Sequence, residues 1–190
     1  MNPLPAEPLT GSAVVLRPWR VGDAARLRRA VVESAEHLRP WMPWVADEPL
    51  SVAERRAMIE QWQRDWAAGG DLLLGVFCSG EVAGGCGLHR RGGPDTLEVG
   101  YWIHAAFLRR GLATEAAALL TDRAFTVAGI DWVEIHHDKL NVASAAVPRR
   151  LGYEFVGEQP DEPTSPGDSG IDCAWRIARL DWLARGRGAN

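Results

Sequence analysis

Apolar and polar positions change period several times along the chain, and each change marks an element. Residues 12–20, SAVVLRPWR, are β-branched and apolar, which predicts a strand ending near Pro18. Helical spacing follows over 24–38, with Ala24, Leu27, Val31, Ala35 and Leu38 on one stripe and Asp23 placed to cap it. After the apolar loop RPWMPWVADEPL, Ser51 and Glu54 form an S-x-x-E capping box for a second helix. Its stripe is Val52, Ile59, Trp62 and Trp66, and Gly69-Gly70 ends it.

From Asp71 the period becomes two. DLLLGVFC and EVAGGCGLH flank Ser79-Gly80 and predict a hairpin. The strand TLEVGYWIH comes next, with Leu97, Val99, Tyr101 and Ile103 alternating with Glu98, Gly100 and Trp102. A third helix is predicted from about Gly111 to Ala128, stopped by Gly129, then a strand over 131–137, a helix over 141–151 and a strand over 153–157. An irregular acidic loop leads to IDCAWRIARLDWL, read as a final strand. Pro148 lacks the N–H that would bond the Ser144 carbonyl, so either the helix kinks there or a turn covers 141–147 and Pro148 opens a new helix. The proline-rich residues 1–11 read as a loose leader, and 12–185 as one domain of α/β (α+β) class with a mixed sheet.

Composition narrows the function classes. With 46% apolar residues, 190 residues suffice for one core. The net charge of −4 provides no general basic field for nucleic acid or anionic lipid. No run approaches the roughly 18 apolar residues of a membrane span. The opening MNPLPAEPLT lacks a signal pattern, and three scattered cysteines make no disulfide framework, so a cytoplasmic protein is expected. His136 and His137 are adjacent on a strand and point to opposite faces, so they cannot share one ion, and no metal is expected.

The chemistry concentrates where TLEVGYWIH runs through Arg109-Arg110-Gly111 into the third helix. A helix start leaves main-chain N–H groups unpaired, glycine allows close approach, and two arginines add donors, which together suit a phosphate. LRPW at 16–19, LEVGYWI at 97–103, RRGLATEA at 109–116 and NVASAAVPRRLGY at 141–153 follow in the order of a known family. Over roughly residues 12–182 the chain resembles the GNAT superfamily of acyl-CoA-dependent N-acyltransferases, and within it the RimJ/RimL branch of ribosomal-protein N-terminal acetyltransferases. Leu108 departs from the pattern, which usually has Gln or Arg three residues before the glycine.

The resemblance implies a single-domain, mostly antiparallel sheet of six to seven strands with about four helices. Two parallel central strands would splay apart, one carrying a bulge. Main-chain groups of Trp102, Ile103 and His104 would bind the pantetheine arm, and those of Arg109, Arg110, Gly111, Leu112, Ala113 and Thr114 the pyrophosphate. Asn141 would bond the pantetheine, and Ser144 would stabilise the leaving thiolate. Glu98 would act as a base through water, or is a strand residue facing solvent or paired with arginine. Trp41 and Trp44, followed by Asp47 and Glu48, and the acidic loop 158–168 border the acceptor side. They would select a cationic small amine or a protein N-terminus, or merely pack the loop onto the sheet. The donor implied is acetyl-CoA, attacked directly in a ternary complex. Succinyl-CoA is a variant that Arg90, Arg91 or Arg149 could serve, and a silent CoA-binding sensor or partner module is a different class. A homodimer is implied by resemblance.

Overall fold

The computed structural model describes residues 2–186; Met1 and residues 187–190 lie outside it. The elements in order are β1 (Leu9–Thr10), β2 (Val15–Pro18), α1 (Ala24–Leu38), α2 (Val52–Ala67), β3 (Leu72–Cys78) and β4 (Glu81–His89). β5 (Thr96–Ile103), α3 (Leu112–Ala124), β6 (Trp132–Asp138), α4 (Val142–Leu151), β7 (Glu154–Pro160), β8 (Ile171–Ala178) and α5 (Arg179–Gly186) complete the chain. The eight strands form one sheet in the order β1-β2-β3-β4-β5-β6-β8-β7. Every neighbouring pair is antiparallel except β5 with β6.

Alternation divides the sheet into two faces. On the back, Leu97, Val99, Ile103, Val133 and Ile135 bury against Leu112, Ala116, Leu120 and Ala124 of α3 and Val147 of α4. On the front, Trp19 with Leu27 and Val31 of α1 and Ile59 of α2 covers Phe77 and Val82. The front helices contact β3 and β4, so the front of β5, β6 and β8 is left for polar side chains. Ser51 accepts from the Glu54 N–H at 3.2 Å while the Glu54 carboxylate accepts from the Ser51 N–H at 2.7 Å, closing the expected capping box.

Four expectations are corrected. Six to seven strands become eight and about four helices five, because β1 adds an edge and residues 171–183 are not one strand. β8 stops at Ala178, where the Arg179 N–H donates to the Asp131 carbonyl at 2.9 Å and its guanidinium takes the carbonyls of Phe125, Val127 and Ile130. The third helix ends at Ala124, four residues early. Asp23 precedes α1 without capping it with its side chain. It binds the Arg17 guanidinium at 2.7 and 2.9 Å instead. Burial pulls the Asp23 carboxyl upward, but Arg17 and the Arg20 N–H outweigh that and hold it below its ordinary value.

The leader is the fourth. Leu4 is 1% exposed within the main core, its carbonyl accepts Trp66 Nε1 at 2.8 Å, and Leu9 pairs with Leu16. Prolines keep such a segment extended without requiring acceptors for their missing N–H groups, so a proline-rich stretch can lie docked. Leu4→Ala should therefore lower unfolding free energy by about 2–4 kcal/mol in urea titrations. A loss of under about 0.5 kcal/mol, as for an exposed position, would contradict the docking.

Candidate active site

β5 and β6 pair only from Thr96–Trp132 to Glu98–Glu134. Beyond that, β5 stays paired with β4 as far as Ile103–Gly84, and β6 with β8 as far as Asp138–Asp172. Each strand keeps its outer partner, so the sheet opens along its middle. A bulge lies at Ala83, where pairing with β3 jumps from Val76–Gly84 to Phe77–Val82. It is on β4, beside the opening strand, rather than on either strand that parts.

Main-chain direction then decides which groups face the gap. The His104 N–H donates to the Ala83 carbonyl at 2.8 Å, and the Trp102 carbonyl lies so close to Gly84 that a Cβ there would sit 2.1 Å from it. Both therefore point toward β4. Antiparallel main-chain groups alternate sides, so Tyr101 and Ile103 present theirs to the gap. The Ile103 carbonyl is already bonded by His37 Nε2 at 3.0 Å. Of the expected main-chain trio, Trp102 thus turns its carbonyl and His104 its N–H toward β4, while Ile103 faces the gap, as does Tyr101. The His104 ring is also committed, with Nε2 2.9 Å from Glu33 and Nδ1 accepting the Ala106 N–H at 3.0 Å.

Past β5 the chain forms a cradle. Arg109 (φ 59) and Gly111 (φ 78) both take left-handed backbone, and Gly111 is the N-cap of α3. The Glu115 N–H bonds the Gly111 carbonyl at 3.1 Å, so the N–H groups of Leu112, Ala113 and Thr114 precede the helix's first internal bond. A Cβ at Gly111 would touch nothing within 4 Å, so the backbone angle, not space, requires glycine there. Glu115 would oppose an anion, but its carboxylate is taken by Ser12 Oγ at 2.8 Å and the Ala13 N–H at 3.0 Å. Arg110 lies over Phe107, 5.0 Å from the ring centroid, and donates to the Ala106 carbonyl at 3.1 Å.

Across the gap, Asn141 caps α4, its Oδ1 accepting the Ser144 N–H at 3.1 Å. α4 continues through Pro148 as one helix, without the restart that the sequence left open. The Ser144 carbonyl, which has no partner N–H at 148, accepts the Tyr101 hydroxyl at 3.2 Å. That hydroxyl is also 3.1 Å from Ser144 Oγ. Burial, only partly offset by the Ser144 hydrogen bond, pushes the Tyr101 phenol up to about 12.

The front of the gap is acidic and aromatic. Glu98 accepts Arg91 at 3.1 Å, and beside it His136 Nδ1 meets Asp172 at 2.7 Å and Nε2 meets Glu134 at 3.2 Å. Burial would lower the His136 pKa, but Asp172, Glu134 and the charge of Glu98 together raise it. Arg91, Glu98, His136 and Asp172 line a cavity of about 870 Å³ walled by Trp19, Trp41, Trp44, Trp62 and Trp102, with Asp47, Asp161 and Glu162 at the loops. Its floor includes Gly85, Gly87 and Gly100, and it reaches Asn141 and Ser144. Because Ser144 belongs to the back helix and Glu98 to the front face, the cavity passes through the sheet. Among the described residues, no group of three or more His, Cys, Asp or Glu is placed to hold a metal ion.

Residues 13–154 match the Acetyltransferase (GNAT) domain family. The chain belongs to that family. It is 29% identical over 150 residues to "Putative ribosomal N-acetyltransferase YdaF" of Bacillus subtilis (strain 168), covering 78% of this chain and 81% of that protein. A crystal structure described as a probable acetyltransferase superposes with a TM-score of 0.84 at 25% identity, covering 92% of this chain and 98% of the other. RimL, a ribosomal L7/L12 alpha-N-protein acetyltransferase in complex with coenzyme A, superposes with a TM-score of 0.80 at 20% identity, covering 93% and 98%.

Within this GNAT domain, Asn141 and Ser144 line the cavity, and the 109–114 segment carries the chain from the end of β5 into α3. Glu98, Trp41 and Trp44 lie along the cavity's front part. Trp66, on the apolar stripe of α2, anchors the Leu4 carbonyl. Trp102 joins the wall, 6.0 Å from Trp44 between ring centroids. Sequence reasoning missed Tyr101 and the His136–Asp172 pair. Tyr101 was the one polar residue on an otherwise apolar strand face, and that interruption was its signal.

Gly111→Val should weaken CoA binding at least about tenfold in calorimetry, because a β-branched residue strongly resists left-handed backbone; wild-type affinity would refute the cradle. A second check is pH. With its pKa raised above 6.5 in the fold, His136 stabilises fully below its unfolded pKa and loses that contribution as pH rises through the folded value. His136→Gln should therefore destabilise more at about pH 5.5 than at about pH 9 in denaturant titrations. An equal loss at both would contradict the carboxylate pairing.

Proposed function

We propose that this acetyltransferase moves the acetyl group of acetyl-CoA onto a primary amine entering from the front, and that the amine is a protein N-terminus. The observation that carries this reading is the passage through the sheet, with Ser144 toward one end and the tryptophan wall toward the other. The donor enters between β5 and β6, its pyrophosphate at 109–114 and its pantetheine against Ile103, Tyr101 and the Asn141 amide. Carboxylates favour a cationic acceptor.

The amine must lose a proton, attack the thioester carbonyl and expel a thiolate. Glu98 is poised to receive that proton through water, while Arg91 and His136 share its surroundings. The amine nitrogen bonds the carbonyl carbon, the carbon–sulfur bond breaks, and Ser144 hydrogen-bonds the departing sulfur. The nitrogen then gives up its second surplus proton, which ends on the thiolate so that the neutral amide and CoA thiol leave, and the first proton returns from Glu98 to solvent. The RimL structure supports the acceptor class, since that protein is described as an alpha-N-protein acetyltransferase. Arg91, one of the arginines considered for a succinyl tail, is engaged by Glu98, which favours the uncharged acetyl group.

Free-thiol release from acetyl-CoA should appear with peptides bearing a free α-amine and vanish when it is blocked. Ser144→Ala should lower kcat by about 10²-fold while CoA affinity stays within about twofold. CoA binding without thiol release for any amine would instead indicate a silent CoA-binding module.

A further inference from the structure

Tyr101 is the one polar side chain among the back-facing residues of β5, and both of its polar contacts are to Ser144. A phenol carries one proton, so it cannot donate to the Ser144 carbonyl and to Ser144 Oγ together. In an uninterrupted helix the carbonyl of residue 144 would take the N–H of residue 148, but Pro148 has none. A carbonyl beside a helix interior needs a donor, and Tyr101 supplies it at 3.2 Å. The hydroxyl of Ser144 then donates to Tyr101 Oη at 3.1 Å. In this resting arrangement, the proton that Ser144 would offer a leaving sulfur is already engaged.

We propose that Tyr101 is a positioning residue that switches partners during transfer: as charge grows on the sulfur, its O–H turns from the Ser144 carbonyl to Ser144 Oγ, releasing the Ser144 O–H toward the sulfur. This deepens the reading of Ser144 as the leaving-group residue and rests on it. Two hydrogen bonds are redirected and no covalent bond to hydrogen breaks. Burial holds the phenol at about 12, well above an ordinary thiol near 8.5, so the phenol keeps its proton while the thiolate departs. The Pro148 ring makes the resting arrangement possible, because it frees the carbonyl on which Tyr101 parks.

Tyr101→Phe should lower kcat about tenfold or more, with KM for acetyl-CoA and CoA affinity within about twofold. Pro148→Ala gives the carbonyl a helical partner, leaving the phenol to serve Oγ throughout, and should turn over at or above the wild-type rate. The double variant Tyr101→Phe/Pro148→Ala decides between the roles. If Tyr101 acts through Oγ, the double variant stays slow. If it only caps the carbonyl, the restored helix bond rescues turnover, which would overturn the proposal. Misfolding of the single variant leaves this test standing, because the double variant regains the missing bond. In a Ser144→Ala background, Tyr101→Phe should cost nothing further. Slow Ser144→Ala with fast Tyr101→Phe defeats this proposal alone, whereas fast Ser144→Ala defeats the underlying reading.

Discussion

A β-sheet is held by main-chain hydrogen bonds, and two strands can separate inside one only if each retains a partner on its other side. β5 and β6 meet this condition. After the Glu98–Glu134 pair they part, while β4 holds one and β8 holds the other. Buried main-chain groups left facing the gap require partners; His37 supplies one to the Ile103 carbonyl, and the Ile103 N–H and the groups of Tyr101 are offered to whatever occupies the gap. The cradle, Ser144 and the acidic front all take their positions from this opening. Replacing it with a fully paired sheet would close the route between the faces, although every side chain remained.

The two ends of the passage differ in chemistry because the faces of the sheet differ. On the back, α3 and α4 enclose mostly apolar side chains, and Tyr101 is the exception on β5. On the front, α1 and α2 lie mainly against β3 and β4, so Glu98, Glu134, His136, Asp172 and Arg176 can occupy β5, β6 and β8. These groups neutralise one another: Arg176 reaches Glu134 at 2.7 Å, and His136 lies between two carboxylates. A charged floor of this kind is paired within itself yet remains net acidic toward the loops, where Asp47 and Glu162 also line the cavity. Under the proposed function, this arrangement would attract an amine without a dedicated ion pair.

Local signals were legible in the sequence wherever a short-range rule decides the outcome. Ser51 and Glu54 marked a helix start, Ser79-Gly80 a hairpin, and the alternation from Leu97 to Ile103 a half-buried strand. The four GNAT-like patterns extended that reading to the family and to Ser144 and Asn141. Long-range choices were not legible. Leu4 docks because Trp66, distant in sequence, bonds its carbonyl, and the Arg179 guanidinium ends β8 by gathering three distant carbonyls. Asp23 looked like a cap until Arg17 claimed its carboxylate. The tryptophans show the same limit: Trp62 and Trp66 share a helix, yet one lines the cavity and the other ties down the leader.

The central claim is that donor and acceptor meet inside one continuous opening through the sheet. A conjugate joining CoA sulfur through a two-carbon acetyl bridge to a peptide α-amine would occupy both ends at once, and its affinity relative to CoA can be measured by calorimetry. Linking two occupied subsites makes the second contact intramolecular, which predicts binding at least about 10²-fold tighter than CoA. A conjugate that binds no better than CoA would show that the passage does not join the two substrates.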